Sequence, residues 1–216
     1  MTDISIKLRK YFITRGGVKI VASYERKTKN IYILLSNTGT LFTKTIGLYT
    51  KAPYNHTSLA LNEDLMEIYS FGRKNPINPF VAGFVRENET GIYDYYKDTT
   101  CEIYKLEIDS NIYEKIKMNI ILFERYKESY NFNLIGLFGI IANRPIKRKK
   151  AYFCSQFVYS VLEQNGVKLF DKPAELVTPK DFQYCKELKL IYEGRFLDYT
   201  QKLEVKGKPL MAIVVD

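Results

Sequence analysis

Apolar runs of strand length recur along this chain, and turn chemistry cuts each one off before it could complete a helix. They lie at 31–35 (IYILL), 56–61 (HTSLAL), 65–71 (LMEIYSF) and 101–108 (CEIYKLEI). Runs this short, rich in β-branched and aromatic residues, read as strands. The second and third are joined by Asn62-Glu63-Asp64 and read as a hairpin, and the fourth reads as an alternating strand. Helical periodicity enters elsewhere. Asp109 or Ser110 caps a predicted helix over 110–127, with Ile112, Ile116, Ile120 and Phe123 on one side. A second amphipathic pattern, 152–162 (YFCSQFVYSVL), stops at Asn165-Gly166. Thr178-Pro179 opens a short helix with proline in its first turn. Strand-like residues follow at 188–192, and 211–215 (MAIVV) would add a last edge strand.

Several segments are less regular. Leu41, Thr45 and Leu48 have helical spacing over 40–49, and Ser36-Asn37-Thr38-Gly39 before them is a turn. The stretch 72–100, with Pro76, Pro79 and Gly83, reads as a loop-rich excursion carrying a short strand or two. Residues 134–142 (LIGLFGIIA) are too few to span a bilayer and are expected to be buried or to line a greasy site. Residues 1–30 read as a basic N-terminal extension, with a helix as one expectation for it, and 31–216 as the main domain.

At 216 residues, with 46% hydrophobic and 26% charged side chains, the chain can bury a substantial core, and wholesale disorder is excluded. Its three cysteines, Cys101, Cys154 and Cys185, are too few and too scattered for a disulfide framework or a zinc site. That usage fits a reducing compartment. Residues 1–13 are too polar for an export signal, so the expected location is the cytoplasm. The net charge of +9 is locally dense at 146–150 (IKRKK) and in the first thirty residues. No helix-turn-helix, zinc-finger or aromatic RNA-binding signature accompanies it, so nucleic acid is not an expected partner. Peripheral contact with an anionic surface, such as lipid headgroups or cell-wall polymer, is compatible with the charge. No phosphate loop, dinucleotide fingerprint or metal-ligand cluster occurs, and no cofactor is implied.

One histidine is present, His56, and it opens a strand-like run; Cys154 stands near the start of an amphipathic helix. A cysteine on an apolar helix face is commonly just a small buried hydrophobe. A thiol at a helix N-terminus beside an imidazole is, however, the minimal machinery of a cysteine hydrolase, because the helix end and an imidazolium both favour the nucleophilic thiolate. With a single histidine, either His56 is the base or there is no such catalysis. His56, Ser58 and Ala60 share one strand face, and the two small partners suit close packing against the helix that carries the cysteine.

Four segments together carry a resemblance. They are Ser36-Asn37-Thr38-Gly39-Thr40-Leu41, Tyr54-Asn55-His56-Thr57-Ser58-Leu59-Ala60-Leu61, Tyr152-Phe153-Cys154-Ser155-Gln156-Phe157-Val158, and Leu176-Val177-Thr178-Pro179. The chain resembles, over roughly residues 31–195, the circularly permuted branch of the NlpC-type papain-like superfamily, in which the His strand precedes the Cys helix. The resemblance implies a papain-like α+β fold: an antiparallel sheet with the Cys helix packed across it. It implies Cys154 as nucleophile and His56 as general base. It also implies a third polar residue on the strand after the His strand, orienting the imidazole. Tyr69 is the preferred candidate, Glu67 the runner-up, and Ser70 lies on the opposite face from both.

The function expected on this basis is a thiol-dependent hydrolase cleaving amide bonds through an acyl-enzyme, its substrate a peptide, a cell-wall fragment or an acyl-amide. A lipid acyltransferase or acyl hydrolase, in the manner of lecithin:retinol acyltransferase relatives, would use the same dyad. The non-enzymatic alternative is a basic binding module with an inert Cys154.

Overall fold

The computed structural model describes residues 4–13, 19–39, 52–78 and 81–207, with side chains over 27–39, 52–78 and 81–203. The expected helix at 40–49 and edge strand at 211–215 lie outside the described residues. The strands are β1 (Ile4–Ile13), β2 (Lys19–Asn37), β3 (His56–Ala60), β4 (Ile68–Arg73), β5 (Ala82–Arg86), β6 (Thr100–Asp109), β7 (Asn131–Phe132), β8 (Ala151–Tyr152) and β9 (Lys189–Arg195). The helices are α1 (Glu87–Thr90), α2 (Ile92–Tyr95), α3 (Ser110–Arg125), α4 (Leu134–Ile141), α5 (Cys154–Gln164), α6 (Pro179–Gln183) and α7 (Phe196–Gly207). The fold is α+β. Its main sheet is antiparallel in the order β5-β4-β3-β2-β6-β9, with β1 also paired to β2, while β7 and β8 form a small parallel pair.

The continuous apolar run at 31–35 is explained by a sheet covered on both faces. Ile31, Ile33 and Leu35 join a core built with Phe123 of α3 and Phe157 and Val161 of α5. Tyr32 and Leu34 point the other way, into a second core with Tyr93 of α2 and Phe196 and Tyr199 of α7. A strand buried on both sides needs no polar alternation. In the first core Phe71, Phe84, Phe123 and Phe157 all meet one another, with ring centroids 5.1–6.2 Å apart. These offset and edge-on contacts fasten α5 to β4, β5 and α3.

Within the first thirty residues, 4–13 and 19–30 form strand rather than helix. β1 pairs with the first part of β2 from Ile4↔Thr28 to Ile13↔Lys19, and β2 then runs unbroken across residue 30 into the centre of the sheet. Backbone pairing along a neighbouring strand, a long-range term, decides this segment, whose own periodicity is indecisive. The hairpin at 56–71 holds, with register Leu59↔Tyr69 and Ala60↔Ile68, although its connection is longer than the three residues expected. The excursion at 72–100 contains β5, α1 and α2. Asp109 caps α3 by accepting from the Asn111 backbone N–H at 2.8 Å, and Tyr113, Ile116, Ile120 and Phe123 form its buried face. The apolar 134–142 segment is α4. No helix among the described residues is long and apolar enough to cross a membrane.

Candidate active site

His56 is the first residue of β3, and Cys154 the first of α5, so two element starts converge. The two side chains are neighbours, and each shifts the other's ionisation. On the far side of the ring, His56 Nε2 lies 2.6 Å from Glu87 Oε1. That leaves Nδ1 as the ring nitrogen for the sulfur. Glu87 is 3% exposed and well partnered: Ser58 Oγ donates to Oε1 at 2.7 Å, the Tyr93 hydroxyl donates to Oε2, and Ser70 stands beside the carboxylate. A buried carboxylate with this many donors is held ionised and in one orientation.

The electrostatics follow from that placement. Burial opposes charge on His56, but the Glu87 carboxylate and hydrogen bonds to Cys154 and Glu87 outweigh it and carry the imidazole up to about 10. Burial would raise Glu87, yet the His56 charge and the hydrogen bonds from His56 and Tyr93, with the Ser70 hydroxyl close by, hold it down at about 2. Burial also opposes the Cys154 thiolate. The hydrogen bond and charge of His56, with the backbone N–H groups of Thr57 and Ser155, bring this thiol below its ordinary value. The other two cysteines move the opposite way: burial and Glu102 push Cys101 up to about 12, and burial and Glu187 push Cys185 up to about 11. These shifts all favour the thiolate–imidazolium form of the pair, backed by a carboxylate.

Local structure explains each placement. Gln156 Oε1 accepts from the Phe153 N–H at 3.3 Å, fixing the first turn of α5 so that Cys154 and Ser155 N–H groups lie at its positive end. Ser155 Oγ donates to the Val177 carbonyl at 2.7 Å, tying that turn to the segment before α6. Gly72 lies against the imidazole: a Cβ there would sit 3.3 Å from His56 Cε1 and 3.1 Å from Ser70 Oγ. Gly91, at φ +67°, ends α1 after a single turn and lets α2 bring Tyr93 back onto Glu87.

Two sequence expectations are corrected by strand geometry. The face of β3 bearing Ser58 and Ala60 does not pack on the Cys helix; Ala60 belongs to the second core, with Tyr93 and Phe196. It is Leu59 that packs with α5, and Cys154 meets His56 and the Thr57 backbone at the start of the strand. Tyr69 is not brought to His56. Alternation along β4 sends it into the first core, stacked on Phe84 at 6.0 Å, on the side opposite Ser70. Glu67 lies before β4, its carbonyl accepting from the Leu61 N–H, and is not at the dyad either. Ser70 is, through Glu87.

Sequence reasoning missed Glu87. It follows the short strand 82–86 in the stretch taken for loops, 31 positions after His56. Among 24 acidic residues no local motif singles it out. Its one signal is position: a carboxylate directly after an apolar strand, with tyrosines close behind.

His56 and Cys154 open onto a cavity of about 460 Å³. Ser36, Arg73 and Thr178 contribute polar groups to it, while Val85, Ile92, Phe132, Leu134, Leu137 and Ile140 make much of the wall apolar. Among the described residues no group of three His, Cys, Asp or Glu side chains could hold a metal ion. No family model, no curated protein and no solved structure matches this chain.

Proposed function

We propose that this chain is a thiol-dependent hydrolase of papain-like, circularly permuted design, cleaving an amide bond through an acyl-enzyme on Cys154. One observation carries the reading: His56 bridges Cys154 and the buried Glu87, an arrangement that stabilises thiolate and imidazolium together. The order of the elements, His strand before Cys helix, supports the permuted arrangement.

The Cys154 thiolate attacks the carbonyl carbon, and the Cys154 N–H at the helix start donates to the oxyanion that forms. His56 gives its proton to the leaving nitrogen as the C–N bond breaks, producing a thioester and a free amine. Water then attacks the thioester while His56 takes its proton; the carboxylic acid departs and the thiolate returns. Glu87 stabilises the imidazolium at both stages and keeps its Nδ1 turned to the sulfur. Of the peptide, cell-wall and acyl-amide substrates, the apolar wall favours an acyl-amide whose acyl group is apolar.

The test is intact-mass spectrometry after mixing the protein with a long-chain acyl anilide or with a short hydrophilic peptide. A hydroxylamine-labile acyl adduct is expected from the anilide, absent in Cys154→Ala. No adduct and no aniline release, from a protein that still alkylates at Cys154, would overturn the hydrolase reading. Adding an alcohol or amine acceptor separates hydrolysis from acyl transfer.

A further inference from the structure

Helix α4 is apolar on the face that meets the cavity and on the face that meets solvent. Leu137 and Ile140 line the cavity, whereas Ile135 and Phe138 are 51% and 64% exposed. Leu134 does both, lining the cavity while half exposed. A helix with this much uncovered apolar surface marks an interaction site. The segment after it folds back along the helix: the Arg144 N–H donates to the Gly139 carbonyl at 2.9 Å, and Asn133 Nδ2 to the Ile146 carbonyl at 3.3 Å. Gly139 allows that approach, since a Cβ there would sit 2.6 Å from the Arg144 carbonyl oxygen. The exposed cations Arg144, Lys147, Arg148, Lys149 and Lys150 therefore emerge beside the exposed apolar side chains.

Charge identifies the occupant. No Asp or Glu occurs between Glu128 and Glu163, and among the described residues Arg144, Lys147, Arg148 and Lys149 make no ion pair. Apolar side chains bordered by cations without counter-charges complement a bilayer that offers both acyl chains and anionic headgroups.

We propose that α4 and residues 144–150 form a docking face for an anionic lipid bilayer. Resting on the acyl-enzyme reading, the face also defines a route: an acyl group leaving the bilayer passes Leu134, Leu137 and Ile140 to reach Cys154.

Docking is tested with the full chain by sedimentation with vesicles of phosphatidylcholine alone or mixed with phosphatidylglycerol. Binding to the mixed vesicles is expected to exceed that to the neutral ones by about tenfold or more and to weaken with salt. Reversing Lys147, Arg148 and Lys149 to Glu should abolish the preference, and Ile135→Glu with Phe138→Glu should abolish binding. Both variants should keep the wild-type pH profile of Cys154 alkylation, which reports a folded, intact dyad. Wild-type protein that stays in solution with both vesicles would overturn the proposal. So would equal binding to both, or vesicle binding untouched by the variants while a single-stranded RNA probe is bound through the same lysines. The alkylation profile is independent of membranes, so failure of docking and failure of the dyad are told apart.

Discussion

The Glu87 carboxylate lies 2.6 Å from His56 Nε2, on the side of the ring turned away from Cys154. The carboxylate on one side and the Cys154 sulfur nearby both favour the charged imidazole. Ser58 and Tyr93 hold the carboxylate in turn. The rigid end of this arrangement is thus Glu87, and the other end is the buried Cys154 sulfur beside the cavity.

Cys154 should alkylate selectively in mildly acid solution. Its thiol is lowered by His56, while Cys101 and Cys185 are raised to about 12 and about 11. With iodoacetamide at about pH 6, peptide mapping should find label at Cys154 alone. In His56→Ala the imidazolium is gone but the burial remains, so the thiol should rise above its ordinary value and the selectivity should vanish. Equal labelling of the three cysteines would contradict the pair.

Glu87 and His56 set opposite limbs of the pH–stability profile. Glu87 sits at about 2 when folded against an ordinary 4.5, so its contribution is present above pH 4.5 and is lost as pH falls toward 2. His56 sits at about 10 against 6.5, so its contribution is complete below pH 6.5 and is lost as pH rises through 10. Glu87→Gln keeps a hydrogen-bonding amide and removes the charge. It should flatten the acid limb and move the alkaline loss to lower pH. Urea unfolding midpoints across the pH range check both limbs, and an unchanged acid limb would count against the assignment.

Tyr69→Phe should leave Cys154 alkylation unchanged and cost less than about 1 kcal/mol, because the ring remains stacked on Phe84. Ser70→Ala, one residue along, removes a hydroxyl packed beside Glu87 and His56 and should alter the alkylation profile. Alkylation profiles of the two variants side by side separate the faces of β4.

Cys154, His56 and the two element types that carry them were legible because each has a local signature: a cysteine at the first turn of a period-3.6 pattern, a histidine opening a strand-length run. The strand alternation also placed Ser70 and Tyr69 on opposite faces. What it lacked was the side on which the ring lies, which depends on how Cys154 meets the start of β3 rather than on β3 alone. Glu87 was hidden for a related reason. It reaches His56 through the pairing of β5 with β4, a long-range term with no local periodicity. The strand nature of residues 4–13 and 19–30 was hidden likewise, since β1 and the start of β2 are specified by each other.

Gly72→Ala should disable the dyad without unfolding the protein. A Cβ would come within 3.3 Å of His56 Cε1 and 3.1 Å of Ser70 Oγ, tighter than side chains usually tolerate. The ring can relieve the contact by turning away from Cys154. The expected result is a loss of low-pH alkylation with a near-native unfolding midpoint. A wild-type profile would show that the ring has room to spare.

Asn133 couples the cavity wall to the Cys helix. It is fully buried, its Oδ1 accepts from the Gly136 N–H at 3.0 Å, and its Nδ2 reaches Gln156 Oε1 and the Ile146 carbonyl, both at 3.3 Å. Gln156 in turn fixes the first turn of α5. Asn133→Leu leaves those groups buried with a partner missing, which costs about 1–3 kcal/mol. Because the bonds run to both helices, hydrogen exchange should accelerate at the start of α4 and at the start of α5 together. An increase confined to α4 would mean that the Cys helix is positioned without it.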